Sequence, residues 1–506
     1  MIAIIDFGSQ YTQLIARRVR ELKVYCEIFP YTVSAEELKK RGISAVILSG
    51  GPGHIPERNA FPLDKDFFSG AFFILGICYG MQLTAQFFGG EVHPGIKREY
   101  GRALFRPDLN DPLFNGTGKE SVVWMSHWDY VAKVPKGFTL VGSTDNCKAG
   151  AMRNAKGTIY GLQFHPEVVH TDDGTAILSN FLFLICHLTP SWNPASMLTM
   201  AQEQIRNRVG DGRIICAMSG GVDSSCLATI IHKVCGRNSL SVFVNNGVLR
   251  KDEERKIVRT FTPRINLRYM DASDLFLKKL KNVADPERKR KIIGKTFIEV
   301  FDREARTFGA DYLAQGTLYP DVIESISPFG GPSVRIKSHH NVGGLPETLK
   351  LKLVEPFRFL FKDEVRRIAA ELSIPNEIVN RQPFPGPGLA VRIIGSVSPQ
   401  RLEVLRNADV IVMEEIKKAG FYDKVWQSFS ILLPIKSVGI MGDKRTYDNV
   451  VAVRIVHSTD GMTADWVKLP HELLETISGR IVNEVKGVNR VVYDITNKPP
   501  ATIEWE

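Results

Sequence analysis

Twice in this chain an apolar run of strand length breaks at a glycine-rich turn and passes at once into a helix-periodic segment. Residues 72–77 lead through Gly76-Ile77-Cys78-Tyr79-Gly80 into 79–88, and residues 213–218 lead through Ser219-Gly220-Gly221-Val222-Asp223-Ser224-Ser225 into 226–234. A strand that feeds a helix this directly returns to its sheet most readily as a parallel neighbour, so both regions are constrained to parallel sheets covered by helices. Strand candidates at Ile2–Asp6, Ala45–Leu48 and 158–164, with a helix candidate at 11–22, extend the alternation through the first part of the chain. Ligands are then expected at the carboxyl ends of the strands.

A chain of 506 residues exceeds one hydrophobic core. Two proline-rich breaks, Thr189-Pro-Ser-Trp-Asn-Pro194 and Gln382-Pro-Phe-Pro-Gly-Pro-Gly388, punctuate it. They predict domains at 1–189, 190–382 and 383–506: two doubly wound, mostly parallel α/β domains followed by a smaller α+β domain. In the last, strands at 449–456 and 490–495 mix with helices at 398–419 and 469–485. The 44% hydrophobic and 24% charged fractions are those of a soluble globular protein and exclude a disordered one. The longest apolar stretches, at 71–78 and 181–186, fall far short of the roughly 20 residues of a membrane span. Met1–Asp6 reads as a buried strand rather than a secretory leader, so a cytoplasmic protein with no membrane partner is expected. Seven scattered cysteines without a CxxC pair argue against a disulfide framework and a zinc cluster. The formal charge of +10 fits nucleic acid or small anions. No aromatic stacking signature accompanies the basic run at 286–294, so no nucleic-acid partner is expected. That run is as well explained by a solvated helix start as by a phosphate site.

Cys78 falls on a sharp strand-to-helix turn, with Gly76 and Gly80 giving room for the bend. A thiol there meets the positive end of a helix, which favours the thiolate. The backbone N–H groups of Tyr79 and of Gly51, in the loop after 45–48, are candidate oxyanion donors. His165 follows the strand at 158–164, and Glu167 lies two residues on, where a carboxylate orients an imidazole. Together these are the roles of a Cys–His–Glu triad.

Gly-Ile-Cys-Tyr-Gly-Met-Gln at 76–82 and Gly-Leu-Gln-Phe-His-Pro-Glu-Val at 161–168 resemble class I glutamine amidotransferase domains over about residues 1–188. The resemblance implies that Cys78 attacks the carboxamide of glutamine, ammonia leaves, and water activated by His165 cleaves the thioester. It also implies that Gln82 and the Ser126-His127-Trp128-Asp129 segment, Asp129 above all, hold the glutamine; Trp128 replaces the small residue usual there.

At the second turn, glycines let the backbone approach an anion while Ser219, Ser224 and Ser225 offer hydroxyls and Asp223 can help hold magnesium. A Walker loop would carry a lysine before its last Ser or Thr, and none is present. The loop Ser219, Gly220, Gly221, Val222, Asp223, Ser224, Ser225 is therefore expected to bind the pyrophosphate of ATP in an adenylation. It resembles the N-type ATP pyrophosphatases, in which the strand ending here at Asn245 commonly contacts adenosine; close relatives often carry Asp at that position.

The module order resembles the glutamine-hydrolysing GMP synthetases over the whole chain. That resemblance implies XMP as the ammonia acceptor and a C-terminal dimerisation domain, hence a homodimer. It assigns Arg290, Gln427, Arg490, Lys498 and Glu504 to XMP, and Asp321, Glu324, Lys337, His339 and His340 to a lid. Two other readings stay open on the residues alone. One is a related amidating or RNA-modifying ATP pyrophosphatase; the other is a nucleotide-sensing or RNA-binding protein with a degenerate site.

Overall fold

The computed structural model describes residues 1–55, 61–325, 351–441, 443–458, 461 and 463–506. They gather into two compact units, one of residues 1–197 with the described residues from 318 to 325, the other of residues 198–317 with the described residues from 351 onward.

The first unit is built on nine strands: β1 (Ile2–Asp6), β2 (Cys26–Pro30), β3 (Ala45–Leu48), β4 (Phe73–Ile77), β5 (Glu91–Pro107), β6 (Ser121–Lys133), β7 (Phe138–Thr144), β8 (Ala151–Asn154) and β9 (Ile159–Leu162). Their order is β2-β1-β3-β4-β9-β8-β7-β5-β6. Pairing is parallel from β2 through β9 and antiparallel beyond. The parallel strands are apolar on both faces, as when helices cover both: Ile2, Ala3, Ile4 and Ile5 are wholly buried, and so are Ala45 to Leu48. β6 alternates instead, burying Ser121, Val123, Met125, His127, Asp129 and Val131. That period places His127 and Asp129 on the inner face and turns Trp128 outward, where its Nε1 donates to the Gly95 carbonyl at 3.1 Å.

The proline-rich segment after residue 188 is anchored to this unit. Trp192 donates its backbone N–H to the Lys23 carbonyl at 2.8 Å, and the Arg20 guanidinium packs against both the Tyr25 and Trp192 rings, at 4.4 and 4.7 Å. The Tyr319 hydroxyl accepts a hydrogen bond from the Ile28 N–H.

In the second unit β10 (Ile214–Met218), β11 (Ser239–Asn245), β12 (Leu267–Asp271), β13 (Tyr312–Ala314) and β14 (Lys352–Val354) form an all-parallel sheet ordered β12-β11-β10-β13-β14. The chain runs from β10 outward through β11 to β12 and then crosses to β13 on the other side of β10, so the loop after Met218 sits at a topological switch point. A second sheet pairs β15 (Gln427–Met441), β16 (Lys444–His457) and β17 (Asp465–Trp466) antiparallel and β18 (Val488–Tyr493) parallel to β16. The helices Pro399–Lys418 and His471–Glu484 lie against it. One apolar core runs from Ile215 and Val242 of the first sheet to Val451, Val453 and Ile455 of the second.

The basic run at 286–294 opens the helix Pro286–Phe308, capped by the Asp285 carboxylate on the Arg288 N–H at 2.7 Å. Lys289 is not solvated: its buried ammonium donates to the Ala390 and Ile393 carbonyls and pairs with Glu506.

Candidate active sites

β3, β4 and β9 are adjacent and parallel, so their carboxyl ends bring together three loops that are remote in sequence. β4 delivers Cys78, whose φ of +51° is unusual for a side-chain-bearing residue and marks the sharp turn into the helix Tyr79–Phe87. The Cys78 N–H donates to the Leu162 carbonyl at 2.7 Å, locking the turn to β9. The bend is possible only without side chains at 76 and 80: a Cβ on Gly76 would lie 2.6 Å from the Gly80 backbone, and one on Gly80 would lie 2.3 Å from the Leu48 carbonyl oxygen.

β9 delivers His165, buried and hydrogen-bonded to Cys78. Its Nδ1 stands 2.7 Å from Glu167 Oε1, and its carbonyl accepts from Thr171 Oγ1 at 2.6 Å. The Tyr11 ring meets the imidazole edge-on at 4.9 Å. Burial by itself lowers the His165 pKa, but the Glu167 carboxylate and the hydrogen bonds to Cys78 and Glu167 outweigh it and hold the imidazole well above its usual range. Other thiols are raised by their surroundings. Burial pushes Cys216 up to about 12 and, with Glu99 and Cys78 adding to it, Cys147 also up to about 12.

Gly51 ends the β3 loop against Phe7, where a Cβ would come within 3.0 Å of the Phe7 carbonyl oxygen, and Tyr79 is buried beside it. Gln82 Nε2 donates to the Asp129 carbonyl at 2.6 Å, and Asp129 Oδ2 lies 3.2 Å from His54 Nδ1. Gln163, unassigned from the sequence, points Nε2 at Cys78 Sγ at 3.7 Å, while Sγ lies 3.8 Å from the Ser126 carbonyl. Its signal was available, since Gln163 and His165 alternate on one face of an extended segment.

In the second unit Gly221 caps the helix Val222–Cys235, and Gly220 has φ +77°. Ser219 and Ser224 hydroxyls lie 3.0 Å apart, and the Ser219 N–H donates to Ser224 Oγ at 3.1 Å. Their turn therefore holds its shape with Ser219 exposed. Ser225 is wholly buried, and its N–H closes the first helical turn onto Gly221. Asp223 stands in that turn with Lys362 Nζ 4.0 Å from its carboxylate. Arg381 supports the loop from outside, donating to the Gly220 carbonyl at 3.2 Å and pairing with Glu253. Asn245, at the end of β11, turns its Oδ1 to the Gly247 N–H at 2.9 Å.

Two family models match the two ends of the chain. The class-I glutamine amidotransferase family model matches residues 3–185, and the GMP synthase C-terminal domain model matches residues 414–505. Curated proteins named GMP synthase [glutamine-hydrolyzing] match from end to end. That of Brachyspira hyodysenteriae is 54% identical over all of this chain and 99% of its own, and that of Solidesulfovibrio magneticus is 55% identical over the same shares. The chain belongs to the glutamine-hydrolysing GMP synthase family. Its whole length aligns with those relatives.

The nucleotide residues implied by the GMP synthase family are only partly assembled. Gln427 Nε2 donates to Glu504 Oε1 at 3.0 Å and to the Pro383 carbonyl at 2.9 Å. Arg290 bonds the Glu506 carbonyl at 2.6 Å, so it meets the same tail two residues on. Arg490 donates to Ser437 at 2.6 Å and Lys498 to the Gly461 carbonyl at 2.8 Å. Arg392, which no sequence signal singled out, grips Glu504 with two hydrogen bonds. Of the expected lid, Asp321 accepts from the Leu318 N–H at 3.1 Å in the helix Tyr319–Ser325, which also carries Glu324. Lys337, His339 and His340 lie outside the described residues.

Proposed function

We propose that this chain makes GMP from XMP, ATP and glutamine, with glutamate, AMP and pyrophosphate as co-products. The Cys78–His165–Glu167 arrangement carries the first half of the reading. His165, held well above its usual pKa by Glu167 and its neighbours, is the base placed to take the Cys78 proton as the sulfur attacks. The thiolate adds to the glutamine carboxamide, and the Gly51 and Tyr79 N–H groups receive the oxyanion; one such donor is worth about 3 kcal/mol. His165 protonates the departing ammonia, then takes a proton from water as that water opens the thioester to glutamate. Glu167 keeps the imidazole in one tautomer and orientation throughout. Gln82 and Asp129 position the substrate's amino acid end.

Ammonia is the shared intermediate. In the ATP half, the Ser219–Ser225 turn holds the β,γ-phosphates at the helix start while the xanthine O2 attacks the α-phosphorus and pyrophosphate leaves. Ammonia adds at C2 and AMP departs. A carboxylate at Asp223 would repel a triphosphate unless a hard cation lay between them, so this residue fits magnesium bound with ATP. Held by Asp223, magnesium would supply neutralisation of the phosphate charge. Gln427 and Glu504 read the purine, while Arg290, Arg490 and Lys498 serve the monophosphate. By resemblance to the GMP synthetases, Asp321, Glu324, Lys337, His339 and His340 are assigned to a nucleotide lid.

A homodimer in the cytoplasm completes the reading. The β15–β16 hairpin exposes Ile435, Val438, Ile440 and Tyr447, with Ile440 at 80%, which is an apolar surface suited to a second copy. Light scattering at micromolar protein should return twice the chain mass, and a monomer would overturn the dimer.

The activity is tested by following AMP and GMP formation from XMP and ATP, with glutamine or ammonium chloride as nitrogen source. Cys78→Ala should lose the glutamine reaction and keep the ammonia one. Loss of both would refute the division of labour, and turnover without XMP would refute the acceptor.

A further inference from the structure

Beside the thiol nucleophile, on the buried side of β6, lies a second cluster of ligating groups. Glu99 and His127 face each other in the β5–β6 register, and the turn between β7 and β8 brings in Cys147. One oxygen of Glu99, one nitrogen of His127 and the Cys147 sulfur lie within 4.8 Å of one another. His127 is 7% exposed and Cys147 1%.

The imidazole is oriented as a metal ligand is. Its Nδ1 lies 3.0 Å from the Asp129 carbonyl, to which it donates, so Nε2 is the nitrogen that can face a cation. Nε2 is buried and lacks an aligned hydrogen bond among the described residues, although Glu99 Oε2 is 3.2 Å away. The other two groups are also braced: Thr144 Oγ1 donates to Glu99 Oε1 at 3.3 Å and accepts from the Cys147 N–H at 2.9 Å. A tetrahedral zinc ion with a sulfur at about 2.3 Å and nitrogen and oxygen at about 2.0–2.2 Å needs donor atoms roughly 3.5 Å apart; the His127–Glu99 pair stands at 3.2 Å, and all three donors lie within 4.8 Å of one another.

We propose that Glu99, His127 and Cys147 form a binding site for a thiophilic divalent cation of the zinc class, with a water molecule in the fourth position. Charge favours this occupant: a carboxylate and a thiolate neutralise a dication in a buried place, whereas magnesium and calcium prefer oxygen donors alone. The site is separate from the Cys78 triad. It pins the strand whose Ser126 carbonyl touches Cys78 and whose Asp129 carbonyl accepts from Gln82.

The test uses the full chain carrying Cys78→Ala, so that the nucleophile contributes no thiolate. Cobalt(II) titration should give a near-ultraviolet sulfur-to-metal charge-transfer band saturating at one equivalent, and one equivalent of zinc should erase it. Adding Cys147→Ser should abolish the band while far-ultraviolet circular dichroism without metal is unchanged. Glu99→Gln and His127→Gln, which do not touch the thiol, should weaken cobalt binding by about 10-fold or more. No band in Cys78→Ala, a band that survives Cys147→Ser, or unchanged affinity in both Glu99→Gln and His127→Gln would each overturn the site and leave a plain His127–Glu99 ion pair.

Discussion

Arg392 holds Glu504 through two parallel hydrogen bonds, Nε to Oε2 at 3.0 Å and Nη2 to Oε1 at 2.8 Å, with the arginine wholly buried. The guanidinium also lies over the Phe429 ring at 4.0 Å. A fork of this kind fixes the plane of the carboxylate, and Glu504 in turn accepts from Gln427. Arg392 is thus a positioning residue for the group assigned to the purine.

Arg392→Lys keeps the charge and loses the fork. We expect the KM for XMP in the ammonia-driven reaction to rise about 10- to 100-fold, the equivalent of a charged hydrogen bond, with a smaller change in kcat. Glutamine hydrolysis measured alone should be unaffected. An unchanged KM would remove Glu504 from the nucleotide site.

Glu167→Gln removes the largest influence that raises His165. The folded pKa of His165 lies above the unfolded value of 6.5, so its contribution to stability is complete below that value and is lost as pH rises through the folded pKa. The stability gap between wild type and Glu167→Gln should therefore narrow as pH rises through that range, read by urea unfolding at a series of pH values. In the variant the His165 resonance should titrate at lower pH. A gap that widened with pH would contradict the ion pair.

Gly80→Ala places a methyl group 2.3 Å from a backbone oxygen of β3. The turn must shift, at a cost of about 1–3 kcal/mol. Cys78 moves with it. Glutamine-dependent synthesis should fall by orders of magnitude while the ammonia-driven rate stays near wild type.

The converse variant is Gly220→Ala. It demands a left-handed conformation of a residue with a Cβ, costing about 1 kcal/mol, and sets that Cβ 2.7 Å from Ile257 Cδ1. The pyrophosphate turn deforms, so both nitrogen sources should fail to give GMP. Glutaminase activity should persist, and its loss would mean that the two sites cannot be separated in this way.

Cys78, Gly76, Gly80 and the Ser219–Ser225 turn were legible in the sequence because their chemistry is local. Strand ends also fell close to expectation: β4 begins at Phe73 and β9 ends at Leu162. The antiparallel half of the first sheet was not legible. The register of β5 against β6 shifts between Pro94 and Glu99, and no short-range pattern announces such an irregularity. Cysteine spacing speaks only to metal sites of the CxxC kind; a carboxylate, an imidazole and a thiol drawn from separate strands and a turn, as at Glu99, His127 and Cys147, leave no mark on it.

By itself the sequence determined the two strand–turn–helix units, since backbone sterics and the absence of a Cβ act over only a few residues. Tertiary structure decided which groups meet. The order β3-β4-β9 brings His165 to Cys78, the chain's own tail brings Glu504 to the buried Arg392, and cross-strand register sets Glu99 opposite His127. Those partnerships depend on how whole sheets bury their apolar faces, a cooperative choice among distant segments that no local stretch encodes.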